Sequence, residues 1–316
     1  MFNKIFRLSL LLLCLAIHPA EAAEPITGTI DPVDRYAPIF ITDRNCAYNI
    51  PTQVSFDGNW DPLDNESNYE ALLGQYNPFF TNYPGLFRMR GISYIYYEAV
   101  ASVSHTFVTY YLFYPHDAGD DCKYRSYADP GGHQNDASSM MLMLNNDPAG
   151  DFIDRIIMMD HGFVTVKKLS EIETVDGKPV IIVKTGTHQM TALEKNREVP
   201  ESNLYYRFGL DTSYSLEPIF TSLWPQRSNE KLFCLFSDGI GVQYCEEKNK
   251  ARGRGTPPWA PWAREFKPTK LAQEDLLKAR GLAQSFFDPI KAFESLYSNG
   301  QFYSTEYLYN PYIDRK

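Results

Sequence analysis

The sequence predicts a mainly β protein: an antiparallel β-sandwich with a short loop-and-helix C-terminal extension. Three observations lead there. Short runs of β-branched and aromatic residues recur between Gly, Pro and Asp. Several of these runs are apolar on both faces, as strands in the middle of a sandwich are. No helical segment intervenes between Ile92 and Lys184, so a βαβ order has no place to form.

The elements follow in chain order. Residues 1–22 read as a secretory signal peptide: Lys4 and Arg7 precede the apolar run Leu8–Ile17, and Ala20-Glu21-Ala22 supplies a cleavage site. Cleavage there would leave 294 of the 316 residues and, with Lys4, Arg7 and Glu21 gone, move the charge from −9 to about −10. An exported chain, periplasmic or extracellular, is expected. Such an acidic chain is a poor partner for nucleic acid. No other segment has the roughly 18 consecutive apolar residues of a transmembrane helix.

Residues 23–245 are expected to form the sandwich. PIFIT (Pro38–Thr42) is the first strand-like run. ISYIYYEAVA and HTFVTYYLFY, Ile92–Ala101 and His105–Tyr114, read as a hairpin. SMMLMLN, DRIIMMD, FVTVKKL and PVIIVK come next, the last after the turn Asp176-Gly177. Residues 246–316 are expected to pack on the sandwich as loop and helix. Asp288-Pro289 is a helix start, Ile290, Phe293, Leu296 and Tyr297 share a face, and Gly300 is a stop. Trp259 and Trp262, near Arg252 and Arg254, are a candidate aromatic-cationic contact or a docked loop.

Cys46, Cys122, Cys234 and Cys245 remain after the leader, an even number that suits disulfides in an oxidising compartment. Four cysteines allow three pairings. FCLFSDGIGVQYC reads as a hairpin around Asp238-Gly239 and favours Cys234–Cys245, leaving Cys46–Cys122; four free thiols are the alternative. No CxxC pair points to a metal cluster.

Chemistry concentrates in YPHD and GGHQND. In a strand, residues three apart face opposite ways, so His133 and Asp136 converge only on a turn, which Gly131-Gly132 would supply. Asp117 closes a long aromatic strand and so lies at a sheet rim. Asp117, His133 and Asp136 are together a candidate site for one divalent cation; the two carboxylates favour Ca²⁺ or Mg²⁺, and the imidazole would move the preference toward Mn²⁺ or Zn²⁺. A hydrogen-bonded loop histidine and a capping aspartate explain the same spacing. His161, His188 and His116, in MMDHGF, KTGTHQM and YPHD, lie at strand ends, and His161 and His188 are candidates to face a common cleft; a satisfied structural histidine is the alternative for each.

The order APIFITDRNC, RGISYIYYEAV, YLFYPHD, GGHQND, MMDHG, GTHQM, covering about Tyr36 to Leu193, resembles the necrosis-inducing protein family (necrosis- and ethylene-inducing peptide-like proteins). It also resembles the vacuolar-sorting-related proteins with the same strand–GHxxD–strand arrangement. The resemblance puts Asp117, His133 and Asp136 on the first family's metal-binding positions, His161 and His188 near its later histidines, and Cys46 on its first disulfide cysteine. Its GHRHDWE heptapeptide is GHQNDAS here: Asn135 replaces the second His, Ala137 the Trp, and Ser138 the ligand Glu. One anionic ligand fewer weakens a hard-cation site. Asp120, Asp121 and Asp129 in the longer loop are candidate replacements.

The function expected is a secreted, toxin-like or surface-binding sandwich that engages a membrane lipid or glycan headgroup with a divalent cation. A structural exported domain and a metal-assisted hydrolase, with His161 or His188 as acid/base, are the alternatives. Neither GxSxG nor HExxH occurs, and no organic cofactor motif is present.

Overall fold

Twelve strands form among the described residues of this computed structural model, which are 30–60, 65, 68–69, 93–117, 133–146, 152–160, 163–223, 225, 288–292, 304 and 306–312. In chain order they are β1 Ile39–Asp43, β2 Tyr94–Ser102, β3 His105–Asp117, β4 His133–Asn145, β5 Ile153–Asp160, β6 Phe163–Lys167, β7 Thr174–Val175, β8 Lys178–Val183, β9 Met190–Ala192, β10 Tyr205–Phe208, β11 Ser215–Pro218 and β12 Tyr307–Tyr309. Short helices among the described residues include α1 Ile30–Tyr36, α2 Ile219–Ser222 and α3 Pro289–Ala292.

The strands build two packed sheets. The smaller runs β10-β1-β8-β7, with β9 also on β8; the larger runs β11-β2-β3-β4-β5-β6, with β12 also on β2. The long apolar runs of the sequence are the centre of the larger sheet. The β2–β3 hairpin forms where the sequence places it, and the tight turn before β8 has Asp176 at φ 52° and Gly177 at φ 78°. Both residues are left-handed, as a two-residue hairpin loop of this hand requires.

The sandwich is not wholly antiparallel. β1 pairs β8 in parallel, and β11 pairs β2 in parallel. Both pairs join strands far apart in sequence, where no hairpin turn imposes an antiparallel direction. The C-terminal part also contributes a strand, β12, as well as the expected helix start at Asp288-Pro289.

One core lies between the sheets. From the larger sheet come Val108, Tyr110, Leu112, Tyr114, Met140, Leu142 and Leu144; from the smaller come Phe40, Ile181, Val183, Tyr206 and Phe208. These are the alternate residues of each strand, as the pleat demands. Tyr110 donates its hydroxyl to the Val33 carbonyl at 2.7 Å and so fastens α1 over this layer. The opposite face of the larger sheet is buried too: Phe107, Tyr111, Phe113, Met141 and Met143 have at most 1% exposure. The apolar-on-both-faces pattern follows from this double coverage, to which Ile219 and Leu223 at α2 contribute.

Candidate functional site

The rim where β3 ends and β4 begins carries the candidate residues. The ladder pairs Asp117 with His133, His116 with Gln134 and Tyr114 with Asp136. Directly opposed positions in such a ladder have Cα atoms about 4.5–5.5 Å apart. Positions 117 and 133, from two segments of the sequence, therefore meet at one end of the sheet. Residues 118–132, with the glycine pair and Asp120, Asp121 and Asp129, lie outside the described residues, as does His161.

The sequence reading put His133 and Asp136 on a turn. They lie in β4 instead, and the departure from regular strand is confined to Asn135, at φ 56°. The cause stands across the ladder. Pro115 has no N–H to donate, and the register skips the Pro115–Asn135 pair. Asparagine is among the few residues that tolerate left-handed backbone. Its side chain is buried and its Oδ1 accepts from Asn65 Nδ2 at 2.6 Å.

Asp136 and Ser138 face the smaller sheet, on the side of β4 that continues as Met140 and Leu142. There they grip the turn between β8 and β9. His188 Nδ1 lies 2.8 Å from Asp136 Oδ2, Nε2 lies 3.0 Å from the Tyr48 carbonyl, and Ser138 Oγ donates to the His188 carbonyl at 2.5 Å. The imidazole lies flat on Tyr114, with ring centroids 3.7 Å apart and planes 2° from parallel. The turn itself is tight: Gly186 and His188 have φ of 75° and 54°, and Gly186 N–H donates to Asn49 Oδ1 at 2.9 Å.

The proton inventory of this cluster is fixed by its acceptors. A backbone carbonyl only accepts, so Nε2 carries a hydrogen and donates it to Tyr48. One proton then lies between Nδ1 and the Asp136 carboxylate, on one or the other. His188 is fully buried and both of its nitrogens are engaged, so it is enclosed between the sheets. Burial first, with Tyr96 and Asp136 adding to it, holds the neighbouring Tyr111 phenol well above its ordinary pKa. His116 is buried beside Tyr48, with ring centroids 4.9 Å apart.

For a cation, the donor set can be tested in part. Asp136 is a buried carboxylate held by His188 on the core face of β4, and the register sets positions 117 and 133 three residues further toward the rim. Ser138, which stands where the resemblance has a ligand glutamate, gives its hydroxyl to the His188 carbonyl. It serves as a structural donor. Among the described residues no three His, Cys, Asp or Glu side chains converge as a metal cluster. Cys46 is buried just before a 3-10 turn, Ala47–Asn49; Cys122, Cys234 and Cys245 lie outside the described residues, as do Trp259, Trp262, Arg252 and Arg254.

Sequence reasoning missed Tyr48, Tyr114 and Asn65 as parts of this rim. It had a usable signal in the alternation of β4. Positions 136, 138, 140 and 142 share one face, so two polar residues on a core face required polar partners from the opposite sheet.

No protein-family model matches this chain, and no curated protein matches it. Distant likenesses occur among solved structures. Necrosis and ethylene inducing protein 2, from the causal agent of cocoa's witches' broom disease, shares 16% identity, with a TM-score of 0.27 over 41% of this chain and 52% of that one. The chain thus spans about half the length of that protein. The NLPPya protein solved with glucosamine shares 14% identity, with a TM-score of 0.35 over 63% of this chain and 77% of that one. The non-toxic HaNLP3 protein shares 13% identity, with a TM-score of 0.36 over 77% of this chain and 98% of that one. No helix among the described residues is long and apolar enough to cross a membrane.

Proposed function

We propose that this chain is an exported, toxin-like surface-binding sandwich. Its rim, at Asp117, His133 and Asp136, engages a glycan or lipid headgroup through a bound divalent cation. The observation that carries the reading is the β3–β4 register, which sets position 117 opposite position 133, with Asp136 three residues along β4 and the left-handed Asn135 between them as the kink that would turn it toward the rim. Two carboxylates and an imidazole are a suitable partial donor set for a hard cation, and the hydroxyls of a sugar headgroup are suitable further ligands. The ligand class comes from the resemblance of the motif order to the necrosis-inducing family. With Ser138 in place of a carboxylate, the ion is held by fewer charges and its affinity is correspondingly modest.

A second reading has a specific observation behind it. The bonds among Asp136, Ser138 and His188 all join β4 to the β8–β9 turn, which is what a purely structural cluster would do. A hydrolase gains little support, since a fully buried His188 is poorly placed to meet a substrate. The two surviving readings separate in one experiment. The mature protein is mixed with vesicles carrying glycosylated headgroups, in Ca²⁺ or Mg²⁺ and then in chelator. Binding that disappears in chelator and in Asp117→Asn supports the rim site. Binding absent in every condition leaves the structural reading.

A further inference from the structure

The end of the chain is fastened along β2, and its anchor is a buried acid. β12 pairs with Ser102 and Ala101 of β2. Val103 N–H donates to the Glu306 carbonyl at 3.3 Å, and Ser304 N–H to Ser104 Oγ at 2.8 Å. Tyr307 donates to Asp288 Oδ1 at 2.7 Å and accepts from Ile290 N–H at 3.1 Å, tying α3 to the same segment. This ladder is short, so docking depends on the residues beyond β12. There Tyr312 packs edge-to-face with Phe220 of α2, centroids 5.4 Å apart, and donates its hydroxyl to Glu98 Oε2 in a short hydrogen bond.

Glu98 lies in β2 opposite Thr109 of β3 and is 6% exposed. Every described element around it offers neutral groups. β2 presents the Ala99 N–H, 3.1 Å from Oε1, and the Tyr97 phenol; α2 presents the Phe220 N–H; the C-terminal segment presents Tyr312, with Tyr309 behind it. Among the described residues no lysine, arginine or histidine pairs with it. An ionised carboxylate here is buried without a counter-charge, which is costly, whereas a protonated one is not.

We propose that Glu98 and Tyr312 form a pH-sensitive latch that holds the C-terminal segment 306–312 on β2 in acid and loosens it toward neutral pH. Burial is the main cause of a Glu98 pKa raised from 4.5 to about 7, with the three hydrogen bonds opposing it. A segment that swings away exposes Glu98 to water and returns it to the ordinary range. The docked state therefore holds the proton more tightly. Docking is strongest below pH 4.5, weakens as pH climbs through 7, and is level above that. Linkage between those two values makes docking about seventyfold weaker at pH 8 than at pH 5.

Hydrogen exchange of the full chain at the Val103 and Ser304 amides, corrected for intrinsic exchange, reads this directly. The wild type is expected to lose about seventyfold in protection between pH 5 and pH 8. Glu98→Gln keeps its protection at pH 8. Tyr312→Phe loses more at pH 8 than at pH 5, since the hydroxyl supports the charged carboxylate most. Equal wild-type protection at both pH values overturns the latch, and so does an undiminished drop in Glu98→Gln. If that variant does not fold, the wild-type profile and Tyr312→Phe decide: a loss independent of pH refutes the proposal.

Discussion

Replacing His188 with alanine removes the piece that joins the two sheets at the candidate rim. Three contacts go with it: the 2.8 Å bond to Asp136, the 3.0 Å bond to the Tyr48 carbonyl and the flat stack on Tyr114. A charge-assisted hydrogen bond contributes about 1.5–3 kcal/mol and a neutral one about 1. An aromatic stack adds about 0.5–1.5 kcal/mol beyond its area. Stranding one member of a buried ionic pair costs about 3–5 kcal/mol, and this overlaps the first contact. The expected loss is therefore about 4.5–7.5 kcal/mol, a large share of the roughly 5–15 kcal/mol of an ordinary domain. Urea unfolding followed by fluorescence gives the value. His188→Asn should recover about 1–2 kcal/mol, because asparagine tolerates the φ of 54° and still offers Asp136 a donor. A loss under about 1.5 kcal/mol for His188→Ala would refute the reasoning, since the cluster would then be bystander packing.

Gly209→Ala should cost about 2–3 kcal/mol, against about 1 for Gly177→Ala, again by urea midpoint. Both glycines have left-handed backbone, but a Cβ at 209 meets Pro38 O and Tyr214 Cε1 at 3.2 Å, and at 177 it meets nothing. Ser138→Glu restores the carboxylate of the resembled heptapeptide, yet it should lower the melting temperature and leave cation affinity no tighter. The site is 1% exposed and its hydroxyl holds the His188 carbonyl. Burial holds the His105 pKa below its usual 6.5, with Asp154 opposing. The unfolded chain then takes up the proton first, so this contribution is present above pH 6.5 and is lost as pH falls below it. The stability difference between wild type and His105→Gln should therefore change across that window; a difference constant with pH contradicts the assignment.

Much of the sandwich was legible because strand runs such as HTFVTYYLFY and SMMLMLN are unbroken by helix-forming periodicity, and Asp176-Gly177 fits the turn it makes. The parallel pairs were not legible. β1 finds β8 about 140 residues away through packing, and nothing local encodes the direction of that pairing. β12 escaped for the same reason: YLY is three residues in a tyrosine-rich tail, and its partner lies about 200 residues earlier. At the rim, Asp117, His133 and Asp136 stand out as candidates from their types and order. Their backbone was not legible, because the kink at Asn135 depends on Pro115 facing it across the ladder. His188 was legible as a strand-end histidine, but its place against Asp136 and Tyr114 was not, because those partners lie about 50 and 75 residues earlier in the chain. Only the polar pair at positions 136 and 138 on a core face carried the information that a buried partner was needed.

Positions 117, 133 and 136 are proposed to act as one cation-dependent rim. Calorimetric titration of Ca²⁺ and Mg²⁺ into the folded protein, wild type beside Asp117→Asn, tests this most directly. Saturable binding of at least one ion is expected for the wild type, with at least a tenfold loss, about 1.4 kcal/mol, in the variant. Equal heats in both proteins, or no heat in either, would contradict it.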